Sequence, residues 1–199
     1  MCDYGAISTV LNKRINPARC SLCKKCVRSC SNRALEFCGW TWDVDTLLSE
    51  VLKDQEELLQ SNGGVTLTGG EPMMQHCFLK EFLPHLKNEG LHVIIETHGL
   101  FEWGALKEIL PYIDEIYFNV WCLDEEIHKQ LTGRSNQTIL KNIELLSREG
   151  VSFEVHLPLV RNYNDDKNNI TEVSKYAKGC GIKNPVHLKS FKSNSVSCL

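Results

Sequence analysis

The sequence predicts an α/β fold, a parallel sheet or partial barrel behind a small cysteine-rich insert, on three observations. Strand-like and helix-like segments alternate five times after residue 42, with short connections. Five of the ten cysteines fall from Cys20 to Cys38. The composition, 42% hydrophobic and 24% charged over 199 residues, suits a folded core rather than a disordered chain.

The elements follow in order. Residues 1–42 show little helical periodicity and hold the cysteine cluster, so they are assigned to one metal-organised insert, with 43–199 as the barrel. Asp43 is a plausible N-cap, and Val44, Leu47, Leu48, Val51, Leu52, Leu58 and Leu59 recur on one face of the helix that follows. GGVTLT (63–68) is a short β-branched strand, KEFLPHLKNEG (80–90) a helix ending at Gly90, and LHVIIET (91–97) a strand. FEWGALKEILPYI (101–113) reads as helix, DEIYFNV (114–120) as strand, and NQTILKNIELLSREG (136–150) as a helix stopped at Gly150. VSFEVHLPLV (151–160) is a strand, DDKNNITEVSKYAKGCG (165–181) the last helix, PVHLKSF (185–191) the last strand, and KSNSVSCL a polar tail. No sequence repeat is visible, so a solenoid is not expected.

Charge and hydropathy exclude several functions. Lys and Arg number 22 against 25 Asp and Glu, a net charge of −3 with no basic block, so neither nucleic acid nor an anionic membrane is an expected partner. No apolar run approaches the roughly 20 residues that cross a bilayer, and MCDYGAISTVLNKR lacks the layout of a secretory signal. A cytoplasmic location follows as the expectation, and in that reducing compartment cysteines serve metals better than disulfides. Cys77, Cys122, Cys180 and Cys198 stand singly and read as small buried hydrophobes.

Cys20, Cys23, Cys26 and Cys30 form C-x2-C-x2-C-x3-C, the spacing at which ferredoxin thiolates hold three corners of one [4Fe–4S] cube. The fourth cysteine of such a run serves another cube in two-cluster ferredoxins. Cys38, Cys2, or Cys30 folding back therefore remain candidates for the fourth ligand. A tetrahedral zinc knot is the alternative metal site. Downstream, Gly69, Gly70 and Glu71 follow a short strand directly, at the carboxyl end where parallel α/β folds place ligands. The Met73 and Met74 pair and the Leu/Ile stripes read as core.

With the cysteine run, this turn resembles radical S-adenosylmethionine (SAM) proteins, specifically the activating enzymes of glycyl-radical enzymes. CSLCKKCVRSCSNRAL is similar to half of that family's ferredoxin insert, GGVTLTGGEPMMQ (63–75) to its GGVT-SGGEP segment, and ETHG (96–99) to its strand-end acid-Thr-x-Gly. HKQLTGRSNQTILKNIELLSREG (128–150) resembles its H-x3-TG-x-SN region, and HLPLVRNYND (156–165) its R-x-P-x-x-PGYND strand. The resemblance runs from Cys20 to about Phe191. It implies a partial (β/α)6 TIM-like barrel lacking its first strand, with a ferredoxin-like iron–sulfur insert at the N-terminus.

For function, the resemblance implies reductive cleavage of SAM by a [4Fe–4S] cluster and hydrogen abstraction from a glycine of a partner glycyl-radical enzyme, fed by a flavodoxin- or ferredoxin-type electron donor. Gly69 and Gly70 would present backbone to the SAM amino group, with Glu71 beside them. Glu96 would lie near the SAM carboxylate or an associated monovalent cation.

The chain also departs from the family's pattern. Residues 1–199 contain no C-x3-C-x2-C, the triplet that holds the reactive cluster. Cys2 stands where its third cysteine falls, so the chain reads as a family member that starts late, inactive as given. Asn119 and Trp121 replace the acid and lysine of an Asp-Ile-Lys strand, so these two cofactor-site positions are expected to bind SAM weakly or not at all. His156 replaces an arginine, Arg161 and Asn162 replace Pro-Gly, and Lys192 falls near a histidine. A non-catalytic iron–sulfur module that docks a partner or relays electrons is the competing reading, and a zinc-stabilised binding protein the third.

Overall fold

The computed structural model describes residues 2–8, 14–37, 39–182 and 186–190. Cys38, Pro185, Phe191, Lys192 and Cys198, and the polar tail, lie outside the described residues. The described chain falls into two compact units, one ending at Trp42 and the other beginning at Asp43.

The first unit is mostly turns. It holds one short helix, α1 (Lys25–Ser29), and an antiparallel bridge between Ile7 and Ile15, with Ala6 buried. Leu22, Lys24 and Arg33 have left-handed backbone, with φ of 54°, 59° and 49°. Such conformations cost a non-glycine residue of order 1–3 kcal/mol and persist where the surroundings demand them.

The second unit is a five-stranded parallel sheet in sequence order, each of its first four strands followed by helix. Its strands are β1 (Gly64–Leu67), β2 (His92–Thr97), β3 (Glu115–Asn119), β4 (Ser152–Leu159) and β5 (His187–Ser190). The helices are α2 (Val44–Val51), α3 (Gln55–Gln60), α4 (His76–Asn88), α5 (Trp103–Ile109), α6 (Glu125–Thr132), α7 (Gln137–Leu146) and α8 (Lys167–Gly179). Asp43 caps α2 as expected, its carboxylate accepting from Thr46 N at 2.8 Å. Residues 125–132, to which the sequence reading assigned no element of their own, form α6 under an Asp124 cap. None of these helices is long and apolar enough to cross a membrane.

The two faces of the sheet differ. Val93, Ile95, Ile116, Phe118, Val155 and Leu157 alternate along β2, β3 and β4, are all 1% exposed or less, and join Phe82, Leu83, Leu86, Leu106, Ile109, Ile143 and Leu146 of the helices in one core. The other face carries Glu96, Tyr117, Asn119, Glu154 and His156 besides Ile94 and Pro158, and the register aligns Glu96 with Tyr117 and Glu154, and Asn119 with His156 and His187. Glu96 and Lys189 sit on β2 and β5, three strand spacings or about 14 Å apart in a flat sheet. Lys189 Nζ nevertheless lies 2.7 Å from Glu96 Oε1, because the sheet curls into a half-barrel with its polar face inward.

Candidate functional site

At the carboxyl ends of the strands the backbone turns away and leaves polar groups facing a cavity of about 240 Å³. Thr68, Gly69 and Gly70 line it from β1, Glu96 and His98 from β2, Asn119 and Trp121 from β3, Pro158 from β4, and Lys189 and Ser190 from β5. Five sequence-designated positions, Gly69, Gly70, Glu96, Asn119 and Trp121, therefore share one pocket. Lys189 joins them without having been singled out.

The glycine turn presents bare backbone. Gly69 has φ of +125°, which glycine alone adopts readily, and a Cβ at Gly69 or Gly70 would meet none of the described atoms within 4 Å. The described packing leaves that space open beside the cavity that both glycines line.

Glu71 is placed differently. Its Oε1 accepts from the Thr97 hydroxyl at 2.7 Å and Met73 N at 3.1 Å, and its Oε2 accepts from His98 N at 2.8 Å. The carboxylate thus clasps the turn after β1 to the end of β2 and faces an adjoining apolar cavity of about 650 Å³, which also touches His98 and Trp121.

Buried asparagines brace the same rim. Asn142 donates to Gly99 O and Phe101 O, both at 2.9 Å, holding the loop after β2. Asn164 and Asn169 each donate to Trp121 O, at 2.8 and 3.1 Å, fixing the loop after β3. Each asparagine joins segments at least 41 residues apart, so no local pattern announces it.

Charge in the pocket centres on Glu96. Burial works to raise its carboxyl, but hydrogen bonds from Lys189 and Asn119 prevail and hold it below the ordinary value. Asn119 Nδ2 donates to Glu96 Oε1 at 3.1 Å, which fixes the amide and leaves Asn119 Oδ1 buried without a partner among the described residues. His156 Nδ1 is likewise buried and has no partner among them. Burial and the nearby Lys189 push the His156 pKa down.

In the first unit, Cys2, Cys20, Cys23 and Cys26 line one small cavity of about 30 Å³, with Asp3 and Lys25 at its edge in an ion pair. Cys30 stands outside it and accepts from Ala34 N at 3.3 Å. Hydrogen bonds from the Lys25 backbone and the Ser21 side chain hold the Cys23 thiol below its ordinary pKa. Among the described residues, no three or more His, Cys, Asp or Glu side chains are grouped as a single metal ion requires. Cys122 is buried and Cys180 half-buried, while Cys77 is exposed.

A parallel half-barrel with its site at the strand ends is shared by many enzymes, and comparison with known proteins narrows the class. The family profile described as Radical SAM superfamily matches residues 23–172, and the chain belongs to that family. It is 31% identical over 188 residues to the isethionate sulfite-lyase activating enzyme of Nitratidesulfovibrio vulgaris, covering 92% of this chain and 61% of that protein. It is 37% identical over 161 residues to the 4-hydroxyphenylacetate decarboxylase activating enzyme of Clostridium scatologenes, covering 79% of this chain and 51% of that protein. Among solved structures, a domain of the pyruvate-formate lyase-activating enzyme from Bacteroides vulgatus superposes with a TM-score of 0.55 at 25% identity, over 63% of this chain and 76% of that one. The chain thus spans between half and two thirds of the length of these two curated relatives.

Proposed function

We propose that the chain is the SAM-binding barrel of an activating enzyme that generates a glycyl radical on a partner enzyme in the cytoplasm, with a flavodoxin- or ferredoxin-type protein as electron donor. The carrying observation is the pocket of Gly69, Gly70, Glu96 and Asn119 at the strand ends, in a radical SAM chain whose relatives are activating enzymes. Two features fit SAM there: a backbone cradle that a Cβ would fill, and the orphaned acceptor Asn119 Oδ1, which asks for a donor from a ligand.

Each group has a task in this reading. The Gly69 and Gly70 backbone contacts the amino-acid end of SAM, and Glu71 keeps that backbone in place through Thr97 and His98. Trp121, held by Asn164 and Asn169, walls the pocket and excludes water. When bound, the family's [4Fe–4S] cluster would supply the electron for cleavage of the sulfonium. The part of the strand-end residues in this reading is binding and orientation.

For the insert, the reading is a ferredoxin-like [4Fe–4S] cube on Cys20, Cys23 and Cys26 with Cys2 as fourth ligand, which takes Cys2 out of the reactive triplet and leaves that triplet to be supplied whole. The shared cavity supports this set, as does the left-handed backbone at Leu22 and Lys24, which turns the chain around Cys23. A cube holds its thiolates farther apart than one zinc ion does, consistent with a common cavity that lacks a single-ion grouping. Cys30 then corresponds to the run's fourth cysteine, which in two-cluster ferredoxins serves another cube.

The test adds a C-x3-C-x2-C segment ahead of residue 2, reconstitutes iron and sulfide anaerobically, and supplies SAM and reductant. Formation of 5′-deoxyadenosine by the extended chain supports the activating-enzyme reading. Intact clusters without SAM cleavage would leave the electron-relay module as the function.

A further inference from the structure

The two units differ in charge. Residues 1–42 carry seven Lys and Arg against two Asp and Glu, whereas residues 43–199 carry 15 against 23. An excess of cations on one short part of an otherwise acidic chain marks a surface for an anionic partner.

The cations gather at the cysteines. Lys24 and Lys25 line the cavity that Cys2, Cys20, Cys23 and Cys26 share. Arg28 donates to Cys23 O at 3.2 Å, and the Arg19 guanidinium lies 3.9 Å from where a Cβ on Gly5 would stand, one residue beyond Tyr4 of the cavity wall. All four cations are exposed, and among the described residues only Lys25 has an acid in contact, Asp3. Lys24 rests instead over the Phe37 ring, 3.9 Å from its centroid. Arg19, Lys24 and Arg28 therefore keep charges that no described acid neutralises. Apolar surface stands among them, with Tyr4 54% exposed and Leu22, next to Cys23, 59% exposed.

We propose that Arg19, Lys24, Lys25 and Arg28 form the docking surface for an acidic one-electron carrier protein, which passes its electron to the cluster held by the cysteines among them. The inference rests on the cluster reading of the insert and adds to it the surface through which that cluster is reduced. One electron leaves the carrier, which is oxidised by one unit, and enters the cluster, which is reduced by one. No bond forms or breaks.

Charge and size select this occupant. A transient redox complex makes a small contact, orients by charge complementarity and releases after each electron. Four cations around a few exposed apolar side chains fit such a contact, whereas a nucleic acid needs a longer basic track, and the acid excess of residues 43–199 tells against a polyanion. Cys23 is exposed, so a cluster on its thiolate has an edge near solvent. Reduction adds a negative charge to a cluster already carrying thiolates, and cations beside it ease that step.

The test uses the anaerobically reconstituted chain, whose iron and sulfide content is read first, with an acidic plant-type [2Fe–2S] ferredoxin as the carrier. Calorimetric titration at about 20 mM salt should show binding that weakens roughly tenfold or more at about 200 mM, because exposed charges are screened. Arg19→Glu and Lys24→Glu should each weaken ferredoxin binding about tenfold and slow reduction of the cluster by reduced ferredoxin by a similar factor, with iron and sulfide content unchanged. Lys175→Glu, exposed on α8, should alter neither. Should a Glu variant lose its iron, Arg19→Gln and Lys24→Gln carry the same test with a smaller loss. Equal binding by all variants, no ferredoxin binding to the loaded wild type, or preferred binding of single-stranded DNA would each overturn the docking surface and leave the cluster reading standing. Salt-sensitive self-association that excludes ferredoxin would overturn it too, giving the surface to a second copy of the chain. A wild type that takes up neither iron nor sulfide overturns the cluster reading, and the electron path with it.

Discussion

The Glu71 carboxylate accepts the Thr97 hydroxyl at 2.7 Å, and through this bond the turn after β1 is fastened to the end of β2. Thr97 is 1% exposed and its oxygen also accepts from Gly99 N at 2.9 Å, so the clasp continues into the next loop. Unpaired buried groups cost about 1–3 kcal/mol each. Glu71→Ala strands several donors and should lower stability by about 2–4 kcal/mol in urea unfolding. Glu71→Gln, which keeps one acceptor, should lose less. Equal stability of Glu71→Ala and wild type would show the clasp to be dispensable.

A glycine series separates fold from site. A Cβ at Gly99 would sit 2.8 Å from a Phe118 ring carbon at φ of +77°, so Gly99→Ala should destabilise by about 1–3 kcal/mol. Gly70→Ala meets open space at an unstrained φ and should change stability by no more than about 0.5 kcal/mol. Urea midpoints measure both, and a Gly70→Ala as costly as Gly99→Ala would mean that the turn is packed rather than open.

Acidification should weaken the fold in two stages. His156 is 5% exposed, with Glu154, His187, Tyr117, Glu96 and Lys189 around it, and burial keeps its folded pKa below the ordinary 6.5. The unfolded chain therefore takes up this proton first as pH falls. Stability held above pH 6.5 is lost as pH drops through the lower folded value. Glu96, depressed below its ordinary 4.5, contributes stability that is present above pH 4.5 and lost as pH falls further. His156→Gln should flatten the decline in unfolding free energy between pH 6.5 and 4.5, and an unchanged slope would remove His156 as its source.

The cysteine cavity makes a ligand-by-ligand prediction. After anaerobic reconstitution, Cys2→Ser and Cys23→Ser should each lose most of the bound iron and sulfide and the visible charge-transfer absorption. Cys30→Ser and Cys180→Ser should retain them. Iron loss in Cys30→Ser with retention in Cys2→Ser would exchange their roles, and bound zinc without sulfide would replace the cube.

Most of the sheet was legible because its strands are short apolar runs between capped helices, and all five appear where β-branched composition places them. Residues 125–132 carry few apolar side chains, so α6 did not show in the periodicity. Gly69, Gly70 and Glu96 stand out because glycines and an acid at a strand end have few other uses. Lys189 does not, since PVHLKSF reads as any short strand and the register that turns residue 189 toward Glu96 exists only once the sheet curls. The work of Glu71 was hidden for the same reason, its partners Thr97 and His98 coming from the neighbouring strand.

The central claim, that the turn after β1 forms the floor of a SAM pocket, is tested most directly by calorimetric titration of SAM into residues 1–199 and their Gly70→Val variant. The claim predicts saturable binding to the wild type, abolished in Gly70→Val with stability retained, since Gly70 lines the cavity and a Cβ there meets none of the described atoms within 4 Å. Equal binding by both chains, or none by the wild type, would contradict it.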